Sequence, residues 1–254
     1  MLSNSSKLKH PAAPLSICQA TISFSDSVRN LGFYLDKDLS TKEHINFIGK
    51  TTSLEIRRIS TIRHYLTDDA TKILAVSLVL SRIDYCNSLL AGLPQSLVGK
   101  LQKVQNSAAR LVVRERPHVH ITPILRHLHW LPVRARISHK TAWLCFNAIT
   151  SSTPAYLSDL LHLHSPSRSL HTSADTRLFK IPLYKCKTKG DRAFSYFGPS
   201  VWNSPPLHIR SATTIDTFRS ALKPISSTSK DLISWYLPDL LCVSVCVVCV
   251  VCVD

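Results

Sequence analysis

Asp68 and Asp69 are adjacent carboxylates that closely follow an aromatic residue, in the run Tyr65-Leu-Thr-Asp-Asp69. Paired aspartates can hold a divalent cation for phosphoryl chemistry when a third carboxylate sits on a neighbouring hairpin. Here Thr67 stands immediately before them, so the same text reads as a helix start. The threonine caps the helix, and the acids occupy the first turn, where the helix dipole favours negative charge. His118-x-His120 and His162-x-His164 could each supply two metal ligands, but no cysteine or carboxylate follows at zinc-site spacing. Cys242, Cys246, Cys249 and Cys252 include two C-x-x-C spacings, with only valine between the last three cysteines. A zinc ribbon needs a turn between its ligand pairs. Alternating GT nucleotides would instead encode valine and cysteine in turn. With 6 glycines in the chain and no nucleophile elbow or phosphate loop, hydrolase and nucleotide-cradle chemistry are not expected. The expected catalytic residues, metal ligands and cofactors are therefore none.

Charge is the stronger signal. Thirty-one Lys+Arg against 16 Asp+Glu give a net charge of +15 and a pI near 9.7, a balance that favours a polyanionic partner, most simply nucleic acid. Lys100, Lys103, Arg110 and Arg114 fall on one flank of a helix that contains no acid between Ser96 and Arg114. Lys50 and Arg57 fall on the polar face of an earlier helix. These six are the candidate phosphate contacts, and a merely solvated basic face is the alternative. Tyr196, Phe197 and Trp202, near Arg192, could stack on bases or form a local apolar cluster.

The elements that must position these residues follow from periodicity. Ile17–Phe24 and Val28–Leu35 read as two strands of a hairpin around Ser25-Asp-Ser27, with Gly32 as a bulge. Ser40-Thr-Lys-Glu43 reads as a capping box for a helix over 41–64, with Ile45, Ile48, Ile56, Ile59 and Ile62 on its apolar face. Thr67 opens a buried helix that reaches Leu90 and ends at Leu93-Pro94. Ser96 is the expected cap of the next helix, whose apolar stripe is Leu97, Leu101, Val104, Ala108 and Leu111. Further helices are expected from Thr122-Pro123, over 133–149, over 155–161, within 191–202 before a bend at Gly198-Pro199, and over 215–222 behind Thr214. Leu178–Pro182 could be a strand.

The fold class expected is mainly α: a helical bundle, a small N-terminal β-hairpin and an irregular C-terminal region. The organisation expected is a lead-in and hairpin over 1–39, the bundle over 40–115, a further region over 116–224 and a low-complexity Val/Cys tail over 225–254. Met1–Pro14 lacks the apolar stretch of a signal peptide. An intracellular chain, nuclear or cytoplasmic, with reduced Cys18, Cys86, Cys145 and Cys186 is expected. The apolar run Leu240–Val253 is shorter than the roughly 20 residues a membrane-spanning helix needs, so no membrane partner is expected.

Several segments, in order, resemble the C-terminal part of the reverse transcriptase of LINE-type, non-LTR retrotransposons. They are Val28-Arg-Asn-Leu-Gly-Phe-Tyr-Leu-Asp36, Ser81-Arg-Ile-Asp-Tyr-Cys-Asn-Ser-Leu-Leu-Ala-Gly-Leu-Pro94, Leu101-Gln-Lys-Val-Gln-Asn-Ser-Ala-Ala-Arg-Leu111, His127-Leu-His-Trp-Leu-Pro132, Pro154-Ala-Tyr-Leu-Ser-Asp-Leu-Leu161, and Gly190-Asp-Arg-Ala-Phe-Ser-Tyr196 with Trp202-Asn-Ser204. The resemblance implies strands that follow a polymerase palm at 17–35 and a thumb that holds primer and template at 41–113. It also implies that the catalytic aspartates lie upstream of the matched region. The expected function is thus that of a truncated remnant of an RNA-directed DNA polymerase. It would bind RNA or DNA through phosphate contacts, be inactive alone, and have the missing palm as a possible partner. A helical protein-interaction module derived from such an element, and a non-functional translated fragment, are the alternatives.

Overall fold

The computed structural model describes residues 15–17, 20–22, 25–165, 177–183 and 190–226. The expectations for the lead-in, for Cys18 and Cys186 and for the Val/Cys tail beyond Ser226 lie outside these residues. The described chain is mainly helical, with antiparallel β-structure at its N-terminal end.

The expected hairpin of 17–24 on 28–35 is not what forms. Strands β1 (Leu15–Ile17) and β2 (Ala20–Ile22) pair with each other. The second expected strand is folded in two, so that β3 (Ser27–Asn30) pairs with β4 (Phe33–Asp36) in the register Asn30↔Phe33. The reason is a two-residue turn: Leu31 and Gly32 both take positive φ, 47° and 87°, the geometry that matches strand twist in a hairpin. Gly32 is a turn residue, not a bulge.

Helix α1 spans Lys42–Ile62 and continues into a 3-10 turn over Arg63–Tyr65. The expected capping box does not form, because Asp36 takes Ser40 first. The Ser40 amide and hydroxyl both donate to the Asp36 carboxylate at 2.6 Å, and Thr41 precedes the helix in the left-handed region. Ile45, Ile48 and Ile59 are buried as expected, but Ile62 at the end of the stripe is exposed.

Thr67 caps the next helix, its hydroxyl accepting the Ala70 amide at 3.2 Å. Helix α2 (Asp68–Ala75), a π-helical turn over Val76–Leu80 and α3 (Ser81–Asp84) follow without interruption. This run stops at Asp84, short of the expected Leu90, because Tyr85 is extended and Cys86 has φ 52°. Asn87–Leu90 is a separate 3-10 turn.

Helix α4 spans Gln95–Val113 behind Pro94, which places Ser96 inside the first turn rather than at the cap. Its buried face is Leu97, Val98, Leu101, Gln105, Ala108, Ala109 and Val112. Val104 and Leu111, expected in the stripe, are only half-buried at its edge. Both α1 and α4 pack on the α2 region and on each other, in parallel: Lys100 meets Asn46 near their starts, and Arg63 meets Leu111 and Val112 near their ends.

Helices α5 (Ile121–Leu128), α6 (Val133–Thr150) and α7 (Ala155–Ser158) follow. The strand expected at 178–182 is a single bridge, Leu163 with Phe179. Helix α8 (Phe194–Asn203) carries Gly198-Pro199 inside it, not at a bend. A Cβ on Gly198 would lie 3.2 Å from Cys145 Sγ, so the glycine permits close approach to α6. After α9 (Leu207–Arg210), Thr214 accepts the Thr217 amide and opens α10 (Ile215–Ser226).

Buried side chains form two main clusters. The first extends from Phe33 past residue 115 to Ile137. The second gathers Ala142, Cys145, Phe146, Phe179, Trp202, Ile209, Phe218 and Leu222. Helix α6 contributes its first turns to one cluster and its later turns to the other.

In the first cluster, His44 is 1 % exposed, lies 3.8 Å from the Phe33 ring, and has no hydrogen-bond partner on either ring nitrogen. Burial of the imidazole lowers its pKa to about 4. An unfolded chain binds this proton below about pH 6.5, but the folded chain does not until about pH 4. Stability should therefore be full above that window and fall as pH drops through it, by on the order of 3 kcal/mol. His129, also held below the usual range by burial, Lys72 and His127, adds to the loss. Urea melts at several pH values should show the slope, and His44→Leu should flatten most of it. An equal slope in that variant would place the acid sensitivity elsewhere.

Candidate nucleic-acid interface

The parallel pair α1 and α4 shares an outer face. On α1, at about 100° per residue, Asn46, Lys50, Ser53 and Arg57 follow one exposed strip. On α4 the exposed residues are Gln95, Ser96, Lys100, Lys103 and Ser107, and exposed Arg114 follows its last turn. The Lys100 ammonium donates to Asn46 Oδ1 at 3.0 Å, which joins the two strips.

The six sequence-derived cations separate into two groups. Lys50, Arg57, Lys100 and Lys103 are exposed and, among the described residues, form no ion pair. Arg110 and Arg114 are engaged within the fold. Arg110 is half-buried and donates to the Val119 carbonyl at 3.2 Å, which ties the end of α4 to the loop before α5. Arg114 donates to the Leu66 carbonyl at 3.2 Å and lies 3.7 Å from the Asp68 carboxylate. The rotation of the buried stripe relative to expectation explains part of this: Val112 rather than Leu111 faces inward, bringing Arg110 toward the loop.

Exposed Glu43 opens the α1 strip seven residues before Lys50, whereas α4 adds no carboxylate. Glu55 is held by Arg58 and Arg82, each at 3.3 Å. Asp68 accepts from Arg63 at 2.5 Å, and that guanidinium keeps its carboxyl below the usual range. Arg63, buried, also donates to the carbonyls of Leu66, Leu111 and Val112. It closes the C-terminal carbonyls of α4, which no intrahelical donor can reach. Asp68 is therefore a first-turn residue of α2, behind the Thr67 cap, and an ion-pair partner. No group of three or more His, Cys, Asp or Glu side chains gathers among the described residues.

Most of the distinctive segments meet at a second place, the seam between the bundle and α6. Asp84 forms a buried ion pair with Arg136, whose Nε also donates to the Leu131 carbonyl. Gln105 is 0 % exposed and donates to the same carbonyl, while Gln102 Oε1 accepts the Val133 amide, both at 2.8 Å. The Tyr85 hydroxyl donates to the Leu31 carbonyl. Gly92, with φ 65°, approaches Asp191 and Arg192 so closely that a Cβ would lie 2.9 Å from Arg192 Cγ, and Arg192 in turn donates to the Leu39 carbonyl. In this structure these segments pack against one another. Tyr196 and Phe197 are half-buried and Trp202 is buried. Trp202 donates its Nε1–H to the Arg177 carbonyl and packs in the second cluster, which makes it an apolar anchor.

Sequence reasoning missed Arg63, Asp84 and Arg136. The available signal was an ionisable residue next to an apolar one (Ile62, Ile83, Ile137), which must find a partner when buried. No family model matches the chain, and neither a curated protein nor a solved structure matches it. No helix among the described residues is long and apolar enough to cross a membrane.

Proposed function

We propose that this chain binds RNA or DNA by phosphate contacts on the shared face of α1 and α4, as the thumb of a retrotransposon reverse transcriptase would, without polymerising by itself. The observation that carries the reading is the set Lys50, Arg57, Lys100 and Lys103. These are four exposed cations on adjacent parallel helices, and α4 contributes no carboxylate to the face. Such a face neutralises phosphates and releases counterions, so binding strengthens steeply as salt falls. The first-turn position of Asp68 and its ion pair with Arg63 support binding without autonomous catalysis.

The test is binding of labelled RNA and DNA across a salt series. The double variant Lys50→Glu, Lys103→Glu should weaken binding to both and reduce the slope of log K against log salt by about 1 per lost contact. Both side chains are exposed, so melting should not change. An unchanged affinity and slope would leave the face as solvated surface. A salt-insensitive partner that binds both proteins equally would favour a protein-interaction module.

A further inference from the structure

The basic face ends at an exposed pair of rings. Tyr65 is 82 % exposed, and its ring centroid lies 3.8 Å from that of His64 at an interplanar angle of 44°. Both belong to the 3-10 turn that follows α1. The turn is fixed, because the Leu66 carbonyl beside Tyr65 accepts from both Arg63 and Arg114, and both arginines also reach Asp68. An aromatic ring is thus offered to solvent on a pinned backbone, with the Arg114 guanidinium on the adjoining residue. Arg63 and Arg114 bind the same carbonyl, so the rings sit where the C-terminal ends of α1 and α4 meet.

We infer that Tyr65, backed by His64, is a stacking platform for an unpaired base, so that this end of the face binds single-stranded RNA or DNA, or the frayed end of a strand. This rests on the nucleic-acid reading above and adds a strand preference that phosphate contacts alone do not supply. A base stacks on an aromatic ring with little regard to its identity. A base in a blunt duplex is already stacked on both sides and offers no free face, except at the terminus. Pinning the turn lowers the ordering cost of the contact. The exposure of Tyr65 also means that the fold does not need its ring.

The experiment compares a labelled mixed-sequence single strand with its blunt duplex, by anisotropy across salt. Tyr65→Ala should weaken single-strand binding by roughly 5- to 150-fold, leave duplex binding near wild type, and leave the salt slope unchanged because no charge is lost. Tyr65→Trp should retain single-strand binding. The Lys50→Glu, Lys103→Glu variant should weaken both ligands and flatten both slopes, which separates failure of the platform from failure of the basic face. Equal losses on both ligands, or no loss on the single strand, in Tyr65→Ala would overturn the platform. A wild-type chain that binds neither ligand would overturn both readings.

Discussion

Arg136→Met should cost about 3–5 kcal/mol of folding stability, the loss typical when one member of a buried ion pair is removed. The Asp84 and Arg136 side chains are 12 % and 9 % exposed and belong to α3 and α6, which are far apart in the chain. Burial already pushes the Asp84 carboxyl up from its usual range, and Arg136 is the principal group opposing that rise. Without the guanidinium, the carboxylate keeps only Asn87 at 3.4 Å as hydrogen-bond partner and Lys140 as a favourable charge. The Leu131 carbonyl also loses the Arg136 donor, though Gln105 still reaches it.

The pH dependence identifies the cause. A folded-state pKa raised above the unfolded value means that the folded chain binds the proton more tightly. Stability then rises as pH falls through the folded pKa. Arg136→Met should therefore recover part of its loss at mildly acidic pH, opposite in sign to the His44 effect. The double variant Asp84→Leu, Arg136→Met should lie well above Arg136→Met alone, because two apolar groups of similar size remove the stranded charge. Urea denaturation of the parent, Asp84→Leu, Arg136→Met and the double variant at two pH values completes the cycle. Losses that simply add in the double variant would mean that the two residues do not form one unit.

That pair also marks where the text was readable and where it was not. Helix α6 is legible almost to the residue, since Trp130-Leu-Pro132 leads directly into its first turn. The helix start at Thr67 is legible too, because a threonine followed by two acids satisfies both the cap and the dipole of a helix start. Local rules fail where a tertiary partner competes. Ser40 has the residues of a capping box, but the Asp36 carboxylate takes its amide and hydroxyl. The strand expected over 28–35 is interrupted by a turn at Leu31-Gly32 that β propensity conceals. In the candidate interface, charge counting found all six cations. It could not distinguish Lys103, which stays exposed, from Arg114, which a carbonyl and a carboxylate hold from other parts of the chain. Long-range partners of this kind have no signature in a window of sequence.

Trp202→Ala should cost a further about 3–5 kcal/mol, the range for deleting a large aromatic from a packed core, and should show whether the two clusters unfold together. Trp202 is 1 % exposed, stacks on Phe218 at 5.5 Å between centroids and lies 5.8 Å from Phe179. Phe218 stacks in turn on Phe146 of α6, at 4.7 Å. Deletion of the indole removes the centre of this group and the Nε1–H donor to the Arg177 carbonyl. The effect on the bundle depends on α6. Val133 and Ile137 pack in the first cluster, whereas Ala142, Cys145 and Phe146 pack in the second. A helix forms cooperatively, and its early turns are anchored by Arg136 and by the Gln102–Val133 contact. Loss of the second cluster should fray α6 from its C-terminal end and be felt at the seam. One calorimetric transition, shifted down as a whole, is the expected result. Separation into two transitions, with the upper one near the wild-type temperature, would instead make the bundle an independent unit. In that case the basic face and Tyr65 could be studied without the residues that follow α6.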